Sequence, residues 1–188
     1  MKYYVGLLLV VLSSCGALFA QTKSQTDLSV PGEEHQKLNV LAGSWDVIVK
    51  IPVGQGKTVE GRSTCEAKWV MDNRFLRQEY SSVFGGKPLT VVRYLGYDRY
   101  KSEFIELQFE STHTDVMHNK GMISADGKTI TSFGTAIDLA SGREAHVRTL
   151  TTMIDANTFT LEMQYTDPIS KETKTITLTH KRRKAERS

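Results

Sequence analysis

The residues of this sequence that could do chemistry are five histidines, two cysteines and a few charged side chains set among apolar, strand-like segments. His113, Asp115 and His118 form the densest group of candidate metal ligands. In a strand the first two share one face and His118 points the other way, because successive side chains alternate. Since a metal site needs at least three converging donors, this pattern favours exposed loop residues.

His180 is the histidine whose surroundings best indicate an interior position. It continues the face of Ile176 and Leu178, and threonines occupy the positions between them. An interior histidine can ligate haem iron, or it can satisfy a hydrogen bond at the rim of a barrel. Because no paired motif for a haem pocket accompanies His180, we expect the hydrogen bond and no cofactor, with haem binding as the alternative.

Arg93 is the charged residue that is most suggestive of a binding role. It shares a face with Val91 and Leu95, and Glu79 alternates with Phe75 on the preceding segment. If both faces are interior, Arg93 and Glu79 pair across neighbouring strands and present a polar anchor for a carboxylate-bearing ligand. The opposite register would place both charges in solvent.

The elements that would position these side chains are one short helix, predicted over residues 31–42, and a series of strands. Each strand shows alternation of apolar and polar residues and ends in turn chemistry. Short strands joined in sequence by tight turns predict an all-β, antiparallel up-and-down barrel of about ten strands, with the helix capping one end, because closure removes exposed edges. The predicted strands are residues 45–51, 59–69, 74–84, 89–97, 103–110, 116–124, 129–137, 144–154, 159–166 and 173–180.

Several short motifs carry a resemblance to a known family. These motifs are Gly32 to His35 with Leu38, Leu41 to Trp45, Arg74 to Leu76, Leu95 to Asp98, Gly142 and Arg148. In these motifs the sequence resembles an uncharacterised bacterial family that is named only as a domain of unknown function and is similar to the calycins, the lipocalin-like barrels. The resemblance covers residues 31–183 and implies a fold but no established activity.

The resemblance also implies a structural role for Trp45. In lipocalin-like barrels a Gly-x-Trp step on the first strand packs across one end, under a basic side chain from the last strand. Lys181 and Arg182 are in the right place to supply that cation. We therefore expect Trp45 and Arg182 to be structural, with Trp45 at the floor of the barrel and the helix at its mouth.

The first twenty residues have the layout of an export signal. Lys2 precedes an apolar run over residues 3–12, and small residues follow up to Ala20. In one interpretation the signal is cleaved after Ala20, and Gln21 becomes the N-terminal residue. In the other, the four residues ending at Cys15 resemble the bacterial lipobox, whose cysteine is lipidated and becomes the N-terminal residue. The sequence therefore predicts a periplasmic or extracellular protein, or an envelope lipoprotein that contacts the membrane through its lipid.

Cys65 has no intrachain cysteine partner for a disulfide, whichever of the two cleavage sites is used. It shares an alternating face with Ala67 and Trp69, opposite charged residues, so we expect a buried and inert thiol. The sequence contains no serine-histidine-acid arrangement, phosphate-binding glycine loop or cysteine pair that would indicate an enzyme.

The remaining segments are terminal. Residues 21–30 are polar and aperiodic and are interpreted as a disordered leader, the barrel domain is predicted over 31–180, and residues 181–188 are interpreted as a basic tail. Because the tail holds five basic residues and one acidic residue, its positive charge exceeds the formal charge of +3 of the whole chain, and the barrel domain itself is slightly negative. No groove pattern of aromatic and basic residues accompanies it, which argues against nucleic-acid binding.

These features favour a barrel that binds a small, mostly apolar molecule, since a concave apolar interior is the usual place for a ligand. Two alternatives stay open: an enzyme or haem protein that uses His180 with Arg93, and a packed barrel that acts as a protein-interaction module. The oligomeric state is not indicated. The residues expected to line the ligand site are Val91, Arg93, Phe159, Leu161, Met163, Ile176, Leu178 and His180.

Overall fold

The structure is a computed structural model that describes residues 27–54, 56–138 and 141–184. Over these ranges the chain forms one short helical segment followed by ten strands. The predicted export signal, the lipobox-like Cys15 and most of the predicted leader lie outside the described residues. Among the described residues, no helix is both long and apolar enough to cross a membrane.

The helical segment consists of two short pieces. The helix α1 spans Glu33–Lys37 and continues as a 3₁₀ helix over Leu38–Leu41, where the sequence predicts a single helix over residues 31–42. The backbone N–H of Gly32 donates to Nδ1 of His35 at 3.2 Å, which caps the first turn. His35 is buried together with two leucines of the 3₁₀ helix.

The ten strands close into an antiparallel barrel, which confirms the predicted fold. Each strand pairs with the next along the chain, and the last pairs with the first. The strand boundaries agree with the predicted ones to within a few residues. The strands are β1 (Gly43–Gly54), β2 (Lys57–Val70), β3 (Phe75–Phe84), β4 (Lys87–Asp98), β5 (Glu103–Glu110), β6 (Val116–Ile123), β7 (Thr129–Asp138), β8 (Arg143–Asp155), β9 (Thr158–Thr166) and β10 (Thr173–Arg182).

The two ends of the barrel differ. The closed end carries the helical segment and the turns that follow the even-numbered strands. The open end carries the turns that follow the odd-numbered strands. Trp45 lies at the closed end, where its indole N–H donates to the carbonyl of Leu41. The expectation that Trp45 and the helix occupy opposite ends is therefore wrong: both close the same end.

The terminal segments are attached more firmly than their composition suggests. The Arg74 guanidinium donates to the carbonyl of Ser29, and that of Arg99 donates to the carbonyls of Asp27 and Val30. The leader interpretation therefore does not extend to residues 27–30. The basic tail also begins later than expected, because β10 runs to Arg182.

Candidate functional site

The closed end is built around the Trp45 indole, which is fully buried. The Arg182 guanidinium carbon lies 4.1 Å from the centroid of the indole ring, a cation–π geometry. The same guanidinium donates to the carbonyls of Val40 and Ala42, each at 2.8 Å. The two residues that the sequence assigns to a structural role thus join the helical segment to the first and last strands.

The backbone conformation and surroundings of residue 43 explain why the Gly-x-Trp step begins with glycine. Its φ of +124° is a conformation that other residues rarely adopt. A Cβ at this position would also collide with the Arg182 guanidinium. The glycine therefore makes room for the cation that covers Trp45.

His180 lies directly above this floor, inside the barrel. Its ring is fully buried and stacks on Phe159 with a centroid separation of 3.7 Å. The Tyr80 hydroxyl lies 3.1 Å from its Nε2 atom, and the Trp45 and Tyr80 rings meet its edges. These contacts do not fit a haem iron, because the aromatic rings cover the imidazole and Tyr80 occupies Nε2.

Burial, and then the nearby Arg93 charge, lower the pKa of His180 to about 3. The folded protein keeps this ring neutral, whereas the unfolded chain takes up a proton below about pH 6.5. Because the unfolded state then binds more protons, the stability from this residue is fully present above about pH 6.5 and is lost as the pH falls toward about 3.

We expect His180→Gln to remove a pH dependence of about 1.4 kcal/mol per pH unit from the free energy of unfolding. Between about pH 7 and pH 5 the wild-type protein should lose about 2 kcal/mol through this residue. Urea unfolding across that range measures the slope. Thr179→Gln, on the outward face of the same strand, is the control and should keep the wild-type slope. Equal slopes in His180→Gln and the control would show that His180 titrates normally.

A buried ionic network crosses the middle of the barrel. Nε of Arg93 lies 2.6 Å from Oε1 of Glu106, and both side chains are almost completely buried. Arg93 also donates to Gln78 at 2.9 Å and to Thr151 at 3.0 Å, and the Thr149 hydroxyl donates to Glu106 at 2.7 Å. Since β8 lies across the barrel from β4 and β5, the network forms a polar partition.

The ion pair expected between Arg93 and Glu79 is not present. Gln78, not Glu79, lies opposite Arg93 in the register of β3 and β4, and Glu79 contacts Arg77 outside the barrel at 2.7 Å. Glu106 was missed by the sequence reasoning. Because Glu106 already neutralises Arg93, the expected anchor for a carboxylate-bearing ligand is not free.

Between the partition and the open end, a cluster of apolar side chains lies beside a polar pair on β5, where Gln108 donates to Glu110 at 3.0 Å. Leu161 and Met163 are buried there with Met117 and Val147, and the inward-facing Val91, Ile176 and Leu178 are half-buried. We call this group the apolar chamber: Met117, Val147, Leu161, Met163, Ile176 and Leu178. It includes four of the eight residues that the sequence assigns to ligand contact. Val91 packs instead against the buried cluster that contains Trp45 and Tyr80, and Phe159 and His180 lie with the floor.

A cavity of about 210 Å³ opens at the mouth of the barrel above this chamber. Two ion pairs lie on its wall, between Arg143 and Asp167 and, at 3.1 Å, between Lys174 and Asp138. Tyr165 belongs both to the cavity and to the side chains packed on the apolar chamber. The cavity is lined by Asp138, Ser141, Arg143, Ala145, Tyr165, Asp167, Ser170, Glu172 and Lys174.

The other candidates from the sequence do not converge. His113 contacts Glu110 at 3.3 Å, Asp115 accepts the backbone N–H of Ile137, and His118 is exposed on β6. Cys65 is buried, and its burial raises the pKa of the thiol to about 12. In the described ranges no group of three or more histidine, cysteine, aspartate or glutamate side chains could hold a metal ion.

Comparison with known proteins gives one family match. Residues 30–182 match the model of a family described as "Protein of unknown function (DUF1579)". No match was found among proteins with curated descriptions.

Three solved structures are similar to the chain at low identity. A redesigned beta barrel is 14% identical, with 77% of this chain and 93% of that chain covered and a TM-score of 0.42. EF1p2_mFAP2b bound to DFHBI is 12% identical, with 80% and 99% covered and a TM-score of 0.40. The ywiB protein from Bacillus subtilis is 12% identical, with 75% and 91% covered and a TM-score of 0.37.

Proposed function

Since the chain belongs to the DUF1579 family of proteins of unknown function, we propose a function from its own structure: it binds a small, mostly apolar molecule through the open end of the barrel. The observation that carries this proposal is the mouth cavity of about 210 Å³ above the apolar chamber. The cavity itself is lined mostly by charged and serine side chains, and the apolar chamber below it supplies the apolar contacts that, together with a few placed polar groups, are usual in a ligand site.

The apolar chamber supports an apolar ligand body. Met117 and Met163 form part of its wall, and methionine side chains adapt to different shapes because they are unbranched and flexible. Half-buried Ile176 and Leu178 face inward above His180. A ligand that covers them would remove apolar surface from water, which is favourable by about 25 cal/mol per Å².

The charged groups of the site set limits on the ligand. The partition is closed to an anion because Arg93 and Glu106 satisfy each other. The free polar surface lies instead at the mouth, where Arg143 and Lys174 are half-exposed beside their acidic partners. The cavity is below the usual range of about 300–1,000 Å³, so the ligand is small, with any polar end toward the mouth.

We expect Val91→Trp to weaken binding of an uncharged apolar dye, N-phenylnaphthylamine, by about tenfold, which corresponds to about 1.4 kcal/mol. Val91 faces inward between Arg93 and the open end, so an indole there would fill the ligand space. Thr90→Trp adds the same group to the outward face and should change the affinity by less than about twofold. Titration of dye fluorescence, excited beyond the tryptophan band, measures both.

Equal weakening by Val91→Trp and Thr90→Trp would place the dye on the outside of the barrel. Absence of dye binding to the wild-type protein would favour a packed barrel. Thermal unfolding of each variant checks that the fold is intact before its affinity is compared.

We also propose that the protein acts outside the cytoplasm. The support is the apolar run over residues 3–12 followed by small residues up to Ala20. The intact mass of the chain isolated from its host distinguishes a first residue of Gln21 from a lipidated Cys15, and an uncut chain would contradict the proposal.

A further inference from the structure

Two neighbouring turns at the open end expose apolar side chains to solvent. The turns join β1 to β2 and β3 to β4, and they are adjacent because β2 pairs with β3. We call this part of the mouth the apolar lip. Its exposed apolar residues are Val53, Val59, Val83 and Phe84.

The lip is continuous with the mouth of the barrel. Val59 lies opposite Ile51 in the register of β1 and β2, so both side chains lie on the inward side of the barrel wall. Phe84 continues the inward face of Gln78 and Tyr80 by alternation along β3. Side chains on the inward face that lie beyond the last paired residues of the barrel wall are exposed and do not join the core. An exposed apolar patch of this kind indicates an interaction surface.

The charge of the lip is positive. Lys57 and Lys87 are exposed in the same two turns, and the sequence contains no acidic residue from Ile51 to Val59 or from Ser82 to Leu89. The part of the mouth next to the lip on the β10 side differs, because its lysine and arginine are paired with Asp138 and Asp167. The lip therefore presents apolar side chains flanked by two lysines. Glu60 is the nearest acidic residue on these two hairpins, and it follows Val59 on the outward face of β2.

We propose that the apolar lip docks the open end of the barrel on an anionic lipid bilayer. Phe84 and Val83 enter the boundary between head groups and acyl chains, where exposed apolar side chains are buried. Lys57 and Lys87 contact the negatively charged head groups, and a lysine near such a surface strengthens binding by about fivefold. A second copy of the chain is a poorer occupant, because two-fold self-association would bring the same lysines together.

This docking does not depend on the proposed ligand, although it would place the mouth next to an apolar phase. Vesicle binding and dye binding are separate measurements. A variant that loses vesicle binding can therefore still be tested for dye binding, and a variant that loses dye binding can still be tested for vesicle binding.

Cosedimentation with vesicles tests the proposal. The chain isolated from its host is mixed with vesicles of phosphatidylcholine or of equal parts phosphatidylcholine and phosphatidylglycerol. We expect binding to the anionic vesicles, with the affinity falling as salt is raised. Phe84→Ser should weaken it about tenfold, and the double variant Lys57→Glu with Lys87→Glu by at least about twentyfold. All variants share the same N-terminal segment, so its own lipid affinity contributes equally.

Two matched variants serve as controls. Phe133→Ser removes a phenylalanine of similar exposure, 55% against 61% for Phe84, from the side wall of the barrel. Lys128→Glu reverses an exposed lysine in a turn at the closed end. Both should bind vesicles as the wild type does. Equal binding by the lip variants and the wild type, equal losses in the controls, or no preference for anionic vesicles would each overturn the proposal.

Discussion

Trp45→Ala is expected to lower the free energy of unfolding by about 3–5 kcal/mol. The indole is fully buried and meets Phe159 edge to face, with ring centroids 4.7 Å apart. Its N–H donates to the carbonyl of Leu41, and the Arg182 guanidinium covers its face. Removing the ring leaves a cavity between the helical segment and the barrel, and it takes the aromatic partner from Arg182.

Urea unfolding followed by circular dichroism measures this change, and Trp69→Ala is the matched control. Trp69 also bonds to the helical segment, with its N–H donating to Asn39 at 2.8 Å, but its ring is half-buried. We expect its removal to cost less than half as much as that of Trp45. A loss below about 1 kcal/mol for Trp45→Ala would contradict the role of the indole as the floor of the barrel.

The second large effect is expected at the buried ion pair. Arg93→Met leaves the Glu106 carboxylate buried without its cation, and breaking a buried pair in this way destabilises a protein by about 3–5 kcal/mol. Glu106→Leu should be destabilising for the same reason. The double variant removes both charges, so its loss should be much smaller than the sum of the two single losses.

A double-mutant cycle on unfolding free energies measures the coupling between Arg93 and Glu106. Arg77 and Glu79, which pair on the outer surface with both side chains partly exposed, form the matched reference cycle. Their coupling should be below about 1 kcal/mol. Additive losses in the Arg93 and Glu106 cycle would mean that water reaches the pair.

The strand pattern predicts the barrel well where the two faces of a strand differ. On β8, Ala145 and Val147 alternate with Glu144, His146 and Arg148, and the structure buries the first two and exposes the others. Ten such strands joined by tight turns leave little choice of topology, because sequential hairpins pair neighbours. The fold and the inward direction of most predicted ligand-contact residues were therefore accessible from the sequence.

The role of Glu106 was not predictable from the sequence because the more apolar face of β5 points outward. Its outward face carries Ile105, Leu107 and Phe109, whereas Glu106 and Gln108 point into the barrel. Apolarity alone would select the wrong face of this strand. The pairing of β5 with β4 decides which face of β5 points inward, because it places Gln108 opposite the inward Arg93.

The contact between Tyr80 and His180 is a second feature of the site that the sequence pattern does not predict. The two residues are 100 positions apart in the chain, and they lie on strands that are not neighbours in the barrel. Their meeting depends on the tilt and stagger with which the whole sheet closes. Alternation predicts which way each side chain points, but it does not predict which side chains meet across the interior.

The pairing of β1 with β10 has a consequence for how the chain reaches its native state. The ladder that closes the barrel joins segments near the two ends of the folded region, and contacts of such wide sequence separation slow folding. Until β10 is added, β1 and β9 are open edges that can template aggregation. We infer that a chain shortened before Thr173 accumulates as aggregate, and that synthesis is nearly complete before the protein becomes soluble on its own.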